Sequence, residues 1–552
     1  MKSNSITLPP LLLALLFALT DQPARAGSAT WNLNPGSGDW NTAANWTPAT
    51  VPNGSTDVAT FDVSNQTDVS LSADVTVDSI IFNPGASAYT IAMNSLGTMT
   101  IDGAGIVNSS GVTQNFTTLT GLNSTSLVTF SGSAKAGSMT TFVNTGNGNL
   151  SAASIQFLGS SSADGATFID EGPMPGKKGA SGTIIFSVRS TGGNATFIND
   201  GGGVTFYSGT TADHATFICN GGTRTAPTGG YVIMESGLIT CDHAVFTLNG
   251  TDVPGGTGGS FTSLVLGGGT ANATFIANSG TVDGGLIRIP NGGGTAGNGR
   301  VELFGNGRLD TSSLGSLTVS IGSLEGDGLV FLGVQNLTVG GNQVDTTFSG
   351  VIADGGAQGG VGGSLTKTSS SSLELDGANT YTGGTTVNAG TLIVSNAAGS
   401  GTGTGAVQVN AATLGGSGTL TGAVTLNSGA FLAPAHGTET QSTLTISSPL
   451  TFNAGSTYTC TFKAKGKKAK ADKVIANGVT INGGASFNLS GTTKGALKNG
   501  LTLTLISNTS ANPISGTFSN LADGAIVNVN GNNLQASYEG GDGNDLTLTV
   551  VP

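Results

Sequence analysis

A four-residue motif recurs through the middle of the chain and limits its fold more than any other feature. Ala166-Thr167-Phe168-Ile169, Ala195-Thr196-Phe197-Ile198, Ala215-Thr216-Phe217-Ile218, Ala244-Val245-Phe246-Thr247 and Ala273-Thr274-Phe275-Ile276 each read as one short strand, by alternation and β-propensity. A second apolar strand follows each of the first four copies, at 184–186, 204–206, 232–234 and 264–266. The step from that second strand to the next motif stays within 9 to 12 residues, whereas the step from the motif to its second strand ranges from 9 to 20. One fixed and one variable connection is how a solenoid behaves: strands must stack in register about 4.8 Å apart, while insertions escape into loops on one face. A repeat of roughly 20–29 residues suits one coil, and suits a four-stranded propeller blade of about 40 residues less well. At that period the chain makes roughly 18–26 coils, on the order of 100 Å of rod.

Composition agrees. Glycine supplies 91 of the 552 residues, only 9% are charged, and net charge is −12. Collagen is excluded because glycine has no period of three, and a disordered chain because 37% of residues are hydrophobic. The acidic balance excludes a polybasic nucleic-acid binder. So much Gly, Ser, Thr and Asn opposes helix. An all-β chain of short strands and glycine-rich turns remains.

The first 26 residues read as an export signal: Lys2, an apolar stretch from Leu8 to Leu19 interrupted by Pro9 and Pro10, then Ala24-Arg25-Ala26 as a cleavage site before Gly27. No later run is long and apolar enough to span a bilayer, so no transmembrane segment is expected in the mature chain. Export permits disulfides. Cys219 and Cys241 lie about one coil apart and either pair or are two buried apolar residues, while Cys460 has no evident partner.

All three tryptophans, Trp31, Trp40 and Trp46, fall at the start. The favoured reading is a cap that plugs the open end of the solenoid; the alternative is an aromatic platform for sugar rings.

From Gly363 the chain reads Gly-Ser-Leu365-Thr-Lys367-Thr, then Leu373-Glu-Leu-Asp-Gly-Ala-Asn379-Thr-Tyr381-Thr-Gly-Gly384-Thr-Thr-Val-Asn-Ala-Gly390-Thr-Leu392. This order resembles the autotransporter-associated β-strand repeat, a module of exported bacterial passengers. The passenger-like stretch continues over 405–490, where Gly429-Ala-Phe-Leu-Ala-Pro434 is similar to the family's G-x-L-x-P-G element, with Ala435 in place of its glycine, and Asp472-Lys473-Val474 to its Asp-Lys-Leu element. The Trp-containing region 31–63 looks like the start of such proteins. The resemblance implies an extracellular right-handed parallel β-helix of a Gram-negative bacterium and no enzymatic activity. No translocator barrel follows the module, so a separate secretion partner is expected.

Few residues suggest chemistry. Asp213-His214 and Asp242-His243 precede two copies of the motif and should stack in neighbouring coils, near Cys219 and Cys241 in sequence. A transition-metal site is conceivable there. However, Gly165, Asn194 and Asn272 hold the same place in other coils, which favours a turn position in the left-handed region. His436 has no nucleophile pattern beside it. Gly540-Gly-Asp542-Gly-Asn-Asp545-Leu-Thr547-Leu548 resembles a single calcium-roll nonapeptide with Thr547 at an apolar position, and reads as a turn into the last strand. Lys463, Lys465, Lys467, Lys468, Lys470 and Lys473 form a basic run, expected as a hairpin tip between strands 457–462 and 473–476 and able to contact an anionic glycan or membrane. Asp283, Arg288, Arg300, Glu302, Arg308 and Asp310 are a modest charge enrichment in which Arg288 and Arg308, 20 residues apart, line one face.

The expected organisation is a signal at 1–26, a capping region and first coils at 27–130, imperfect solenoid repeats at 131–350, the autotransporter-associated repeat region at 351–490 and C-terminal coils with a cap at 491–552. The expected function is an exported, non-enzymatic structural or adhesive protein, secreted or at the cell surface. Loops near 170–182, 220–230 and 249–260 would be presented to surface glycans or other extracellular polymers, without nucleic acid. No catalytic, cofactor-binding or metal residue and no cofactor is assigned. The alternative is a polysaccharide lyase or hydrolase, which would need carboxylates near Arg288 and Arg308.

Overall fold

The computed structural model describes residues 27–552 apart from 94–96, 120–125, 147–152, 174–180, 225, 236–238, 264–271, 291–296, 314, 316–317 and 437–439. The expected signal at 1–26 and most of the 170–182 loop lie outside these residues.

The chain winds as a parallel β-solenoid of about 16 stacked coils. The coils are fewer than the repeat predicts because loops lengthen them and both ends are given over to caps. Two long sheets run up the stack. Sheet I runs from Ala29–Trp31 to Val351–Ala353, and sheet II from Asp68–Ser70 to Ser486–Lys494, both with parallel neighbours along their length. A third face begins as a thread of single bridges joining Gly105, Lys135, Ser162, Thr191, Thr211 and Thr240. From Thr318–Ile321 to Val479–Ile481 the same place in the coil is filled by an eight-stranded sheet III. Sheet IV, from Thr419–Leu420 onward, takes the place in the coil that sheet I leaves.

The recurring motif forms sheet II. Phe116, Phe142, Phe168, Phe197, Phe217, Phe246 and Phe275 point inward and stack in one column with ring centroids 4.8 to 5.0 Å apart. Phe130, Phe157, Phe186 and Phe206 form a second column from sheet I. The columns meet edge to face, as at Phe157–Phe168, 5.7 Å and 80°. Each buried ring contributes about 1.5–3 kcal/mol by leaving water, and none could do so without the coil above and below. Beyond Phe275 the column turns aliphatic, through Val301 and Leu324. One expected strand is displaced: Tyr231–Met234 pairs with Ser260–Ser263, so Phe261 takes the inward place, and 264–266 lies outside the described residues.

The tryptophans cap the N-terminal end. Trp31, Trp40 and Trp46 are all buried with Phe61, in edge-on contacts of 4.9 to 5.0 Å among themselves. Their indole N–H groups donate to Gln66 O, Pro52 O and Trp40 O. No ring face is left for a sugar, which decides between the two readings. At the other end Ile526–Val529, Asn532–Gly540 and Asp545–Val551 fold antiparallel over Thr502–Asn508 and close sheet IV.

Candidate functional site

The basic run forms a three-stranded tongue. Thr457–Lys465 outruns the strand before it, Phe431–Ala433, which pairs only at Thr457 and Tyr458. The vacated edge is filled by the chain's own return, Lys468–Ala471, pairing Lys463 with Lys470 and Lys465 with Lys468. The return strand is therefore 468–471, not 473–476; Lys473–Ala476 belongs to sheet IV. On the other edge Ser486–Lys494 runs parallel, with Thr492 beside Lys463 and Lys494 beside Lys465.

Directly paired residues share a face, and residues two apart along a strand do too. One face therefore carries Lys463, Lys465, Lys468, Lys470, Lys494 and Thr492, all exposed. The other carries Phe462, Ala464, Ala469 and Ala471, turned to the core. The lysines wall a groove of about 390 Å³. The tip is fastened where Lys498 N donates to Gly466 O at 3.1 Å. The base is fastened by buried Asp472, whose carboxylate accepts Thr461 N at 2.6 Å and Ser442 N at 3.0 Å. Lys473 lies outside the array; Lys494 joins it, one coil later in sequence.

The Asp-His turns stack as expected, with the His214 and His243 rings 5.0 Å apart and 16° from parallel. Each Nδ1 faces its own aspartate, Asp213 at 2.6 Å and Asp242 at 3.3 Å. In three coils the left-handed residue is the one before the histidine's place, with φ +54° at Asp213, +52° at Asp164 and +58° at Gly193, whereas Asn272, at the histidine's own place, is left-handed as expected at +60°. The cause lies two positions before these residues, where the Ser162, Thr191 and Thr211 hydroxyls accept the N–H of Asp164, Gly193 and Asp213 and close a tight turn. Ligand atoms of His214, Asp242 and His243 lie within 4.8 Å of one another. Cys219 and Cys241 are free and buried inside the stack, with thiols pushed up to about 12 by burial.

The charged residues from Asp283 to Asp310 divide between two sheets. On sheet II Arg300 pairs with Glu302 at 2.9 Å and with Glu325. On sheet I Arg288 and Arg308 sit on neighbouring strands and line a groove of about 360 Å³ with Asp310 and Phe331. Burial pushes the Asp283 carboxyl up, but the Arg308 guanidinium at 2.6 Å and the Gly258 N–H outweigh it and hold it below its usual value. Asp310 is buried and accepts Ser312 N and Ser312 Oγ on Oδ1 and Ala357 N on Oδ2. His436 is exposed, 3.4 Å from Thr391 Oγ1. The Gly540–Asp545 segment is the tip of an antiparallel hairpin, where Asp545 accepts Asn508 N at 2.9 Å. A shared-ligand calcium roll requires parallel tandem turns instead.

The module that begins at Gly363 spans two successive coils, and its Lys367, Asn379 and Tyr381 are internal. Strands Ser364–Lys367 and Ser372–Leu375 stack on Thr385–Val387 and Thr391–Val394. Between them Asn379 is buried and spans two coils: its Oδ1 accepts Ile352 N at 2.7 Å and its Nδ2 donates to Gly401 O at 2.6 Å. Tyr381 is buried with its hydroxyl 2.5 Å from Thr385 Oγ1. Lys367 is buried too, donating to Ser369 O and Oγ, and burial lowers its ammonium to about 8.

Residues 365–394 match the family model of the passenger-associated-transport-repeat. No curated protein matches the chain. With the strands of that repeat stacked in two successive coils of a continuous parallel β-solenoid, the chain is an autotransporter-passenger-like β-helix protein, and the repeat points to an exported or surface protein.

Proposed function

We propose that this is an exported, non-enzymatic structural and adhesive rod of a Gram-negative bacterium, holding outward loops against a surface glycan or another extracellular polymer. The observation that carries this reading is where length varies. Inward positions hold the core coil after coil, and insertions fall outside it, at 220–230 and 249–260. Those loops are themselves stacked: Gly222 N donates to Thr257 O, and Thr257 N to Pro227 O. An asparagine ladder, Asn220–Asn249–Asn278, joins their bases at 2.8 Å per step. A stacked array repeats one weak contact many times, which is how a rod gains avidity for a polymeric partner.

A polysaccharide-active enzyme is the second reading, favoured by the groove that gathers Arg288, Arg308 and Asp310. One experiment addresses both. Purified protein is incubated with acidic and neutral polysaccharides, and co-sedimentation and newly released ends are recorded together. Binding without cleavage is expected, with attachment of intact cells falling when the chain is deleted. New ends that vanish in Arg288→Ala or Arg308→Ala would make this an enzyme. Absence of both binding and attachment would refute the adhesive role.

A further inference from the structure

We propose that the lysine face of the tongue is a docking site for a linear polyanionic glycan carrying one acidic group per sugar, lying across the three strands along the stack axis. This rests on the adhesive reading and names its partner's chemistry.

Four observations lead to it. First, like charges are placed directly opposite one another, Lys463 against Lys470 and Lys465 against both Lys468 and Lys494. Such pairs destabilise a sheet unless a counter-charge is supplied. Second, among the described residues no acidic side chain pairs with Lys465, Lys468, Lys470 or Lys494, although the chain has 31 acidic against 19 basic residues. The ion pairs among those residues use histidine and arginine. Third, edge protection does not account for the pattern. Lysines that blunt a sheet edge belong on the edge strands, as Lys468, Lys470 and Lys494 do, but Lys463 and Lys465 occupy the central strand. Fourth, the face is built to a shape. Lys463, Lys465, Lys468, Lys470, Lys494 and Thr492 surround the groove of about 390 Å³, so the apolar lysine stems line it and ammonium groups rim it.

Across the strands the charges repeat every 4.8 Å or so. A polysaccharide with one carboxylate per sugar repeats its charge at a similar interval, so each ring lies on lysine stems while its carboxylate meets an ammonium. A groove admits a chain, whereas an anionic bilayer presents a plane. The glycan is therefore the occupant assigned, and the bilayer is an outcome of the test.

The test measures binding of the whole protein to immobilised polygalacturonate, with neutral dextran and phosphatidylglycerol vesicles as the comparison arms. Two variants accompany the parent. One replaces Lys465, Lys468, Lys470 and Lys494 by Gln, the other replaces them by Arg; far-ultraviolet circular dichroism, followed through thermal unfolding, checks that both fold. The parent should bind polygalacturonate and not dextran, and lose binding as salt screens the charges. The Gln variant should bind at least about tenfold more weakly, equivalent to about 1.4 kcal/mol, and the Arg variant should bind like the parent. Equal binding by the Gln variant, or capture by the vesicles but not by polygalacturonate, would overturn the assignment. If the parent attaches to cells but not to polygalacturonate, the glycan assignment fails and the adhesive reading stands. If it binds polygalacturonate through these lysines yet attaches to no surface, the lysine site stands and the adhesive reading fails.

Discussion

Asp170 occupies an inward column of sheet II that runs Thr118, Asn144, Asp170, Asn199, Cys219 and Leu248 on successive coils. Thr118 donates to Asn144, and Asn144 donates to Asp170 Oδ1 at 2.7 Å. The ladder then breaks: Asp170 Oδ2 and Asn199 Oδ1, on paired residues, are buried acceptors without a donor. One proton on Asp170 would supply a donor at this break. Burial also favours the neutral acid, raising Asp170 well above its ordinary 3.8 despite the Asn144 bond. The sign of the pH effect follows. Below the ordinary value both folded and unfolded chains hold the proton, and the ladder contributes in full. As pH rises toward the raised folded value the unfolded chain has released its proton, so that contribution declines. Asp170→Asn keeps the acceptor, adds a permanent donor and does not titrate. Its stability relative to the parent should be smallest near pH 4 and grow toward pH 8, measured by urea unfolding at each pH. A difference that stays constant over that range would refute the protonated ladder.

A second residue-scale case is Gly491, where an added Cβ would sit 2.3 Å from Phe462 Cε1. The buried Phe462 ring covers this position across the paired strands. Gly491→Val should cost about 1–3 kcal/mol by overpacking and unseat the tongue, so polygalacturonate binding falls although no lysine is touched. Unchanged stability and binding together would show that the ring is free to move aside.

At the scale of the element, the matched repeat is held by its polar clamp as much as by leucine. Asn379→Ala would leave Ile352 N and Gly401 O buried and unpaired, a loss of about 2–4 kcal/mol. Asn379→Asp should fail as well, because a carboxylate cannot donate to Gly401 O. Thermal unfolding of the two variants checks this; a parent-like aspartate variant would mean that the bond to Ile352 N alone suffices. Beside the clamp a second asparagine ladder, Asn388, Asn410, Asn427, Asn453 and Asn482, ties sheet III turns together at 2.6 to 2.9 Å per step. These elements mark the limit of what the sequence discloses. The Ala-Thr-Phe-Ile strands are legible because alternate residues face inward, so hydrophobicity itself reports the orientation. The inward strand at Ser260–Ser263 is not, because only Phe261 in it is large and apolar while 264–266 is the more apolar run. Lys494 escapes for another reason: its place beside Lys465 depends on the length of the intervening coil, which no local pattern encodes. The Asp-His turns mislead because histidine tolerates the left-handed region, yet the hydroxyl two residues before the aspartate decides which residue enters it.

At the scale of the molecule, each coil touches only the coils above and below, so stability is a chain of nearest-neighbour terms rather than one global core. The aromatic columns end at Phe275 and the eight-stranded sheet III begins at Thr318–Ile321, so the two halves are held by different interactions. Unfolding should then be separable along the rod instead of all-or-none. The protein carries its own probe for this, since Trp31, Trp40 and Trp46 report only the N-terminal cap while circular dichroism reports every coil. The two signals should follow different urea midpoints. Phe452→Ala, which opens a cavity against Tyr458 and Phe518 near the far end, removes about 3–5 kcal/mol locally. It should lower the circular-dichroism midpoint and leave the fluorescence midpoint where it was. Coincident midpoints in the parent, moved together by Phe452→Ala, would mean that the rod unfolds as one unit. The adhesive account would then lose one of its physical supports, because a rod that melts as a whole under local load cannot keep the rest of its contacts engaged when one end gives way.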